Sequence, residues 1–303
     1  MKLICKYVNS TEEAAQFIDY CENEFEERLR DAARRALLCG NKFITLSGPT
    51  CSGKTTTAAM LIDELSKAGK NAVVISIDDF YLDDLHTKTD EDGEVDFDSV
   101  NTIDLQYLAK VIVDLKDGKD VMLPRFDFLT GRRRNLETLS PGENDVYIFE
   151  GIQAVYPEVT KLFGNRYTSV FICVSDDVMF NGVYFSSSEI RLLRRIVRDS
   201  ISRNTAPSET IAYWDNVRRN EDENIFPNAE NPHVSIDSFL MYELFIISPI
   251  ALEKLRSVPK GQEGYELAHS LEIRLEKIES TYFNSSLVPM TSVFREFIGS
   301  ENL

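Results

Sequence analysis

The chain has 303 residues, 43% of them apolar, with 33 Lys and Arg against 50 Asp and Glu, a formal net charge of −17. That length suits one large α/β domain with an appendage, or two domains, and the apolar share can fill a sizeable core. A surface this acidic repels nucleic acid and anionic membranes, which argues against both as partners; an anionic ligand would need basic residues concentrated at one site.

Cys5, Cys21, Cys39, Cys51 and Cys173 are scattered, odd in number and without zinc spacing, which points to a reduced, cytoplasmic setting. The N-terminus lacks the apolar core of a signal peptide. The most apolar later stretch, 239–252, holds Glu243 and Pro249 and is too short to span a bilayer.

In chain order, Ser10-Thr11-Glu12-Glu13 reads as a capping box opening a long amphipathic helix. Its packing face is Phe17, Cys21, Phe25, Leu29, Ala32, Ala33, Ala36 and Leu37, and Gly40 ends it. Residues 42–47 are a short β-branched and apolar run, a buried strand. Gly48-Pro49-Thr50-Cys51-Ser52-Gly53-Lys54-Thr55 follows, a G-x-x-x-x-G-K-T phosphate-loop pattern. A helix over 55–66 comes next, and strand and helix together are the context the pattern needs. In such a loop the backbone N–H groups from Gly48 through Gly53 to Thr56 face phosphate oxygens, with Thr50, Cys51 and Ser52 as rim. Lys54 reaches the β- and γ-phosphates, and the Thr55 hydroxyl binds Mg²⁺.

A second strand, 72–77, leads into Asp78-Asp79-Phe80-Tyr81. A carboxylate there can take the proton of an attacking hydroxyl, and only one of the two aspartates can face the cleft. Residues 83–98 are an acidic exposed loop. A helix over 105–115, a hairpin from Val121 past Gly131, and a third strand, 146–149, come next. That strand closes on Glu150, the expected second acidic contact of Mg²⁺. A fourth strand, 169–174, a helix over 189–202, a break at Pro207, a short fifth strand, 233–236, and helices over 239–255 and 266–282 complete the pattern, with 258–264 as a linker. Strands alternating with helices imply a parallel sheet covered on both faces, with ligands at the carboxyl ends of its strands.

Arg191, Arg194, Arg195 and Arg198 share one helix face, and Arg203 follows. With Glu189 and Asp199 as the few nearby acids, the stripe fits arginines closing on a triphosphate, with Arg194 and Arg198 as catalytic candidates, Arg198 also toward the acceptor and Arg203 toward the nucleotide. Cys51 contributes backbone; its thiol is read as structural, with activation by the loop as the alternative. His86, His233 and His269 are isolated. No N-K-x-D guanine reader is present, and Asp90-Glu91-Asp92-Gly93 matches D-x-x-G by chance within the acidic loop.

Taken together, GPTCSGKTT (48–56), DDFY (78–81), PRFDFLTGRR (124–133), IFEGI (148–152) and RLLRRIVRD (191–199), with a spaced Val217 to Pro227 segment, resemble the uridine kinase and phosphoribulokinase group of phosphate-loop kinases over about residues 43–240. IDSFLMYELFI (236–246) and FNSSLVPMTSVFREFIGS (283–300) are similar to a bacterial branch of uridine kinase-like nucleoside kinases. The resemblance implies a P-loop NTPase fold: a five-stranded parallel sheet with flanking helices, a substrate-binding hairpin and a helical lid. Here that fold would carry N- and C-terminal helical extensions, dividing the chain into 1–40, 41–256 and 257–303. It implies ATP and Mg²⁺ as cofactors and a nucleoside as acceptor, with homo-oligomerisation possible. By resemblance Asp78 is the catalytic aspartate, also near the metal, and Tyr81 lines the acceptor pocket. Asp98, after Phe97, holds ribose hydroxyls; Phe126, Asp127 and Phe128 form the base pocket, and Arg133 trails it. Gly131 stands where the family has a base-facing histidine, Phe126 replaces a tyrosine, Ala212 a glutamine, and Arg203-Asn204-Thr205 an Arg-Gly-Arg. Losing polar groups at the base edge weakens base specificity. The alternatives are a kinase of this fold for another small alcohol, a sugar phosphate or vitamin precursor, or a non-catalytic ATP-binding regulator.

Overall fold

The structure, a computed structural model, describes residues 1–83, 97–128 and 130–299. Most of the acidic loop, with His86 and Asp90-Glu91-Asp92-Gly93, lies outside the described residues, as does the last residue of the 283–300 motif.

The chain opens with β1 (Lys2–Ile4) and α1 (Thr11–Leu38). Ser10 accepts from the Glu13 N–H at 3.2 Å, as a capping box requires, but the Glu13 carboxylate reaches back to Asn9 N–H at 3.0 Å, one residue earlier than the standard box. The buried stripe of α1 includes Ile18, Cys21, Phe25, Leu29 and Ala36. Next come β2 (Phe43–Ser47), α2 (Lys54–Lys67), β3 (Asn71–Ser76), α3 (Leu105–Lys116), the hairpin β4 (Val121–Asp127) and β5 (Arg132–Leu139), β6 (Asp145–Glu150), α4 (Pro157–Phe163) and β7 (Tyr167–Cys173). Then follow β8 (Val178–Phe180), β9 (Val183–Phe185), α5 (Ser187–Ser202), α6 (Pro207–Ala212), α7 (Trp214–Asn220), β10 (Val234–Asp237), α8 (Glu243–Arg256), α9 (Tyr265–Leu275) and α10 (Arg295–Ile298).

Five strands form one parallel sheet in the order β10-β7-β2-β6-β3. Every residue of β2 and β6 is buried, as central strands covered on both faces must be. Period two sorts their side chains into two cores. Ile44, Leu46, Val146, Ile148, Val170 and Ile172 face α1, α2, α5 and α8. Phe43, Tyr147, Phe149 and Phe171 face α3 and α4. The five-stranded parallel sheet with flanking helices expected from the sequence is the one observed. Among the described residues no helix is long and apolar enough to cross a membrane.

Three features differ from the sequence expectation. A small sheet, β1-β8-β9, was not anticipated. Its hairpin turns on Asn181-Gly182, both at positive φ (47° and 82°), the dipeptide that two-residue hairpins favour. The predicted helix over 239–255 begins only at Glu243, because the Asp237 carboxylate accepts from Phe239 N–H at 3.1 Å and holds the preceding turn open. The predicted helix over 266–282 ends at Leu275, where tight turns bury Ile278 instead.

Gly182→Ala forces a side chain into the left-handed region and should cost about 1–2 kcal/mol, read as a lower urea midpoint with an unchanged slope. A shift within error would show that the β8–β9 turn contributes nothing to stability.

Candidate active site

Register brings the chemistry together. Leu46 pairs with Glu150, and Glu150 with Ser76, so the loop after β2, the turn after β3 and the end of β6 open at one sheet edge. They enclose a cavity of about 300 Å³ lined by Thr50, Cys51, Ser52, Lys54, Thr55, Asp78, Phe97, Asp98, Glu150, Ile152, Arg195, Arg198, Arg203, Tyr213, Val217 and Glu296. Tyr213 and Val217 belong to the α6–α7 segment.

The loop itself tolerates little. A Cβ on Gly48 would lie 2.0 Å from the Ile172 carbonyl oxygen, and Gly53 sits at φ 89° with Val293 in the way of any side chain. Lys54 arches over the loop, donating to the Gly48 and Pro49 carbonyls at 3.0 and 3.2 Å. The buried Ser52 hydroxyl has no partner among the described residues. Thr56, at the third position of α2, donates its N–H (3.3 Å) and its hydroxyl (2.9 Å) to Glu296. Cys51 is 3% exposed; its thiol is packed away and its carbonyl is used.

The predicted arginine stripe divides into two functions. Arg191 and Arg194 point inward and are fully buried. Arg191 donates to the Thr50 carbonyl at 3.1 Å and makes a two-pronged pair with Glu221 at 2.5 and 2.7 Å. Arg194 donates to the Cys51 carbonyl at 3.1 Å, to the Ser238 carbonyl at 2.9 Å and to Glu243 at 2.6 Å. The structure therefore does not bring Arg194 to the cavity: the residue is fully buried and holds the back of the loop. Burial pushes the Glu243 carboxyl above its ordinary range, against the opposing pull of Arg194. The cavity face of α5 belongs to Arg195 and Arg198. With Arg203 they gather round the buried Asp199 at 3.3, 2.8 and 3.6 Å. Glu189 is not an arginine partner within this stripe; it caps α5 and pairs with Arg274 at 2.6 Å.

The two aspartates after β3 part company. Asp78 faces the cavity, while Asp79 accepts from Phe126 N–H and from Arg125, both at 3.0 Å, and so anchors the hairpin. The Tyr81 hydroxyl lies 3.5 Å from Asp78 but donates its one proton to the Phe97 carbonyl at 2.7 Å. Gln153, unmarked in the sequence and 1% exposed, donates to both Tyr81 Oη and the Phe97 carbonyl at 3.0 and 2.9 Å. Burial raises the Asp78 carboxyl, with Lys54 opposing. Burial pushes Glu150 up to about 7; Lys54 opposes, while Asp78 and Glu296 add to the rise. Asp78 and Glu150 line the same cavity as Thr55, and together the three offer hard oxygen donors, which fits Mg²⁺ shared with phosphates. Among the described residues no three His, Cys, Asp or Glu side chains form an all-protein metal cage.

Asp98 lines the cavity, and its carbonyl accepts from Tyr156 Oη at 3.0 Å. The rest of the expected acceptor pocket is differently disposed. Phe126 and Phe128 pack edge-to-face on each other (centroids 5.2 Å) and on Tyr81 (5.2 and 5.9 Å), and Phe128 also contacts Phe97 (5.9 Å). The two rings expected in a base pocket pack on each other instead, and neither lines the cavity. Asp127 pairs with Arg134 at 2.8 Å. Arg133 does not face the cavity either: it donates to the Tyr81 carbonyl at 2.7 Å and to Asp104 at 2.8 Å, locking the Asp78 turn to the hairpin.

Glu243→Ala leaves the Arg194 charge buried and unpaired, and should lower the unfolding free energy by roughly 3–5 kcal/mol, measured by urea denaturation. In the native protein, alkylation followed by mass spectrometry should label the exposed Cys5 and Cys39 well before Cys51; fast labelling of Cys51 would show that the loop opens readily.

Residues 43–243 match the model of the Phosphoribulokinase / Uridine kinase family. The chain is 26% identical to a uridine kinase of Ureaplasma urealyticum, over 64% of this chain and 86% of that protein. It is 32% identical to uridine kinase-like protein 4 of Arabidopsis thaliana over 52% of this chain, a match spanning 30% of that longer protein. A solved structure described as a possible uridine kinase from Bacillus stearothermophilus aligns with a TM-score of 0.38 at 23% identity, covering 47% of this chain and 80% of that one. With its phosphate loop, acidic strand ends and helical cover all inside the matched segment, the chain belongs to the phosphoribulokinase/uridine kinase family, a family of phosphotransferases.

Proposed function

We propose that the protein is a cytoplasmic, ATP- and Mg²⁺-dependent kinase that transfers the γ-phosphoryl group to the 5′-hydroxyl of a nucleoside, with weak discrimination among bases. The observation that carries this reading is the convergence of Lys54, Thr55, Asp78, Glu150, Arg195 and Arg198 on one cavity at the sheet edge. A homo-oligomer is compatible with it.

In the proposed reaction the loop N–H groups and Lys54 hold the phosphates of ATP. Thr55 and Glu150, with Asp78 nearby, would hold Mg²⁺, which when bound neutralises charge on the phosphate oxygens. Asp78 takes the proton of the acceptor hydroxyl as its oxygen bonds to the γ-phosphorus; the bond from that phosphorus to the bridging oxygen breaks and ADP leaves. A carboxylate raised by burial is a better proton acceptor than a solvated one, which suits this role. Arg195 and Arg198, steadied by Asp199, offset charge on the transferring group. Asp98 accepts hydrogen bonds from a vicinal diol.

A second reading has its own support. The self-packed cluster of Tyr81, Phe97, Phe126 and Phe128 leaves no flat slot for a base, which favours a smaller polyol acceptor. Release of ADP from Mg-ATP against uridine, cytidine, 2′-deoxyuridine, inosine, ribose and simple sugar phosphates decides between them. Under the nucleoside reading the 2′-deoxynucleoside loses about ten- to a hundredfold in kcat/KM, the value of a hydrogen bond to a charged group. Activity confined to ribose or sugar phosphates would replace it with the second reading, and activity on none would remove the nucleoside reading.

Asp78→Asn should lower kcat by at least ~10² while nucleotide affinity persists. Asp79→Asn, which loosens the hairpin, should raise the acceptor KM with a much smaller change in kcat. Equal and mild effects from both would take Asp78 out of the proton transfer.

A further inference from the structure

We infer that Glu296, delivered by the C-terminal segment, is an anionic competitor built into the nucleotide site, which weakens nucleotide binding and hastens the departure of ADP. The inference rests on the phosphate-loop reading above and concerns a residue outside the segment matched by the family model.

Three observations carry it. The first is occupancy. The Glu296 carboxylate accepts both the N–H and the hydroxyl of Thr56, in the first turn of the 14-residue α2. Free N–H groups there attract anions, and a phosphate of a bound nucleotide needs the same donors.

The second is delivery. The segment bearing Glu296 is not loose. Arg295 is buried and binds the carbonyls of Ser285 and Val288 at 2.9 and 2.5 Å. The ring of Phe297 lies under the Arg194 guanidinium, 4.7 Å from its centroid. Val293 fills the space above Gly53. The backbone is fixed, so a carboxylate is always presented at the loop, and only its side-chain torsions can withdraw it.

The third is charge. Glu296 lines the same cavity as Glu150 and Asp78 and adds to the upward push on Glu150. A loop evolved to hold phosphates gains nothing in affinity from a further carboxylate; it gains a ligand that takes over the Thr56 donors as phosphate leaves. When a nucleotide binds, Glu296 turns aside and stays as a like charge beside the phosphates.

The test is equilibrium titration of wild type, Glu296→Gln and Glu296→Ala with MgADP, with inorganic pyrophosphate and with adenosine, plus stopped-flow displacement of ADP. Glu296→Gln keeps shape and removes charge; Glu296→Ala removes both. Both variants should bind ADP and pyrophosphate about tenfold tighter than wild type at low salt, with ADP dissociating correspondingly more slowly. The gap should shrink as salt rises. Adenosine, which carries no phosphate, should bind all three alike. Equal or weaker ADP binding by Glu296→Gln overturns the inference, as does an equal gain for adenosine, which would mark a steric effect. Absence of ADP and pyrophosphate binding in every protein would remove the phosphate-loop reading and this inference together. Failure of the acceptor panel alone leaves the nucleotide titrations, and hence this inference, standing.

Discussion

The site depends on two guanidiniums placed behind the phosphate loop. A loop that turns its N–H groups toward a ligand must turn its carbonyls away, and those carbonyls need donors if they are buried. Arg191 takes the Thr50 carbonyl and Arg194 the Cys51 carbonyl. Each arginine is in turn fixed by a buried carboxylate, Glu221 or Glu243. Neither pair is cheap, since both charges have left water. What they provide is position: the curl of the loop is set from outside before any phosphate arrives, so ligand binding need not spend energy on shaping it. Cys51 itself sits at φ 55°, a conformation costly for a residue with a Cβ, and the Arg194 bond to its carbonyl helps hold it there.

This arrangement also explains how a chain of net charge −17 can offer an anion site. The positive charge is not spread but layered on α5. Arg191 and Arg194 lie inward with one carboxylate each; Arg195 and Arg198 face the cavity and, with Arg203, share Asp199. Three guanidiniums on one carboxylate leave an excess of positive charge where Asp199 keeps it oriented. Asp78, Asp98, Glu150 and Glu296 line the same cavity. The cavity thus carries both signs of charge, and a phosphorylated ligand with its cation would match both.

Much of this was legible in the sequence because it is local. The strand, loop and helix around Gly48–Thr55, the acid after β3 and the acid ending β6 are each announced within a few residues, and period two places them at one edge once the sheet is parallel. The stripe on α5 was legible as a stripe, but a helix face spans only part of the circle. Whether Arg194 looks inward or into the cavity depends on Glu243 and Ser238, more than forty residues away. Gln153 carries no pattern, and its importance lies in holding Tyr81 and Phe97. The Asn181-Gly182 turn, by contrast, was a local signal between two short apolar runs; what the sequence cannot supply is its partner strand at Lys2–Ile4, paired across more than half of the chain.

The acceptor side shows the same limit in another form. Resemblance supplies a pocket of Phe126, Asp127, Phe128 and Arg133, but residue identity does not fix what each side chain spends itself on. Arg133 spends its Nε on the Tyr81 carbonyl and its Nη2 on Asp104, bonds that tie the hairpin to the turn bearing Asp78. Phe126 is held through its own N–H by Asp79. Phe128 is the exception: at 58% exposure it loses little by turning outward, and with it the ring contacts to Tyr81, Phe97 and Phe126 would open. Hairpin and aspartate turn therefore behave as one clamped unit with one releasable ring. In the proposed reaction the size of the acceptor would depend on how far that ring swings, while the alignment of Asp78 would rest on bonds that do not need to break when it does.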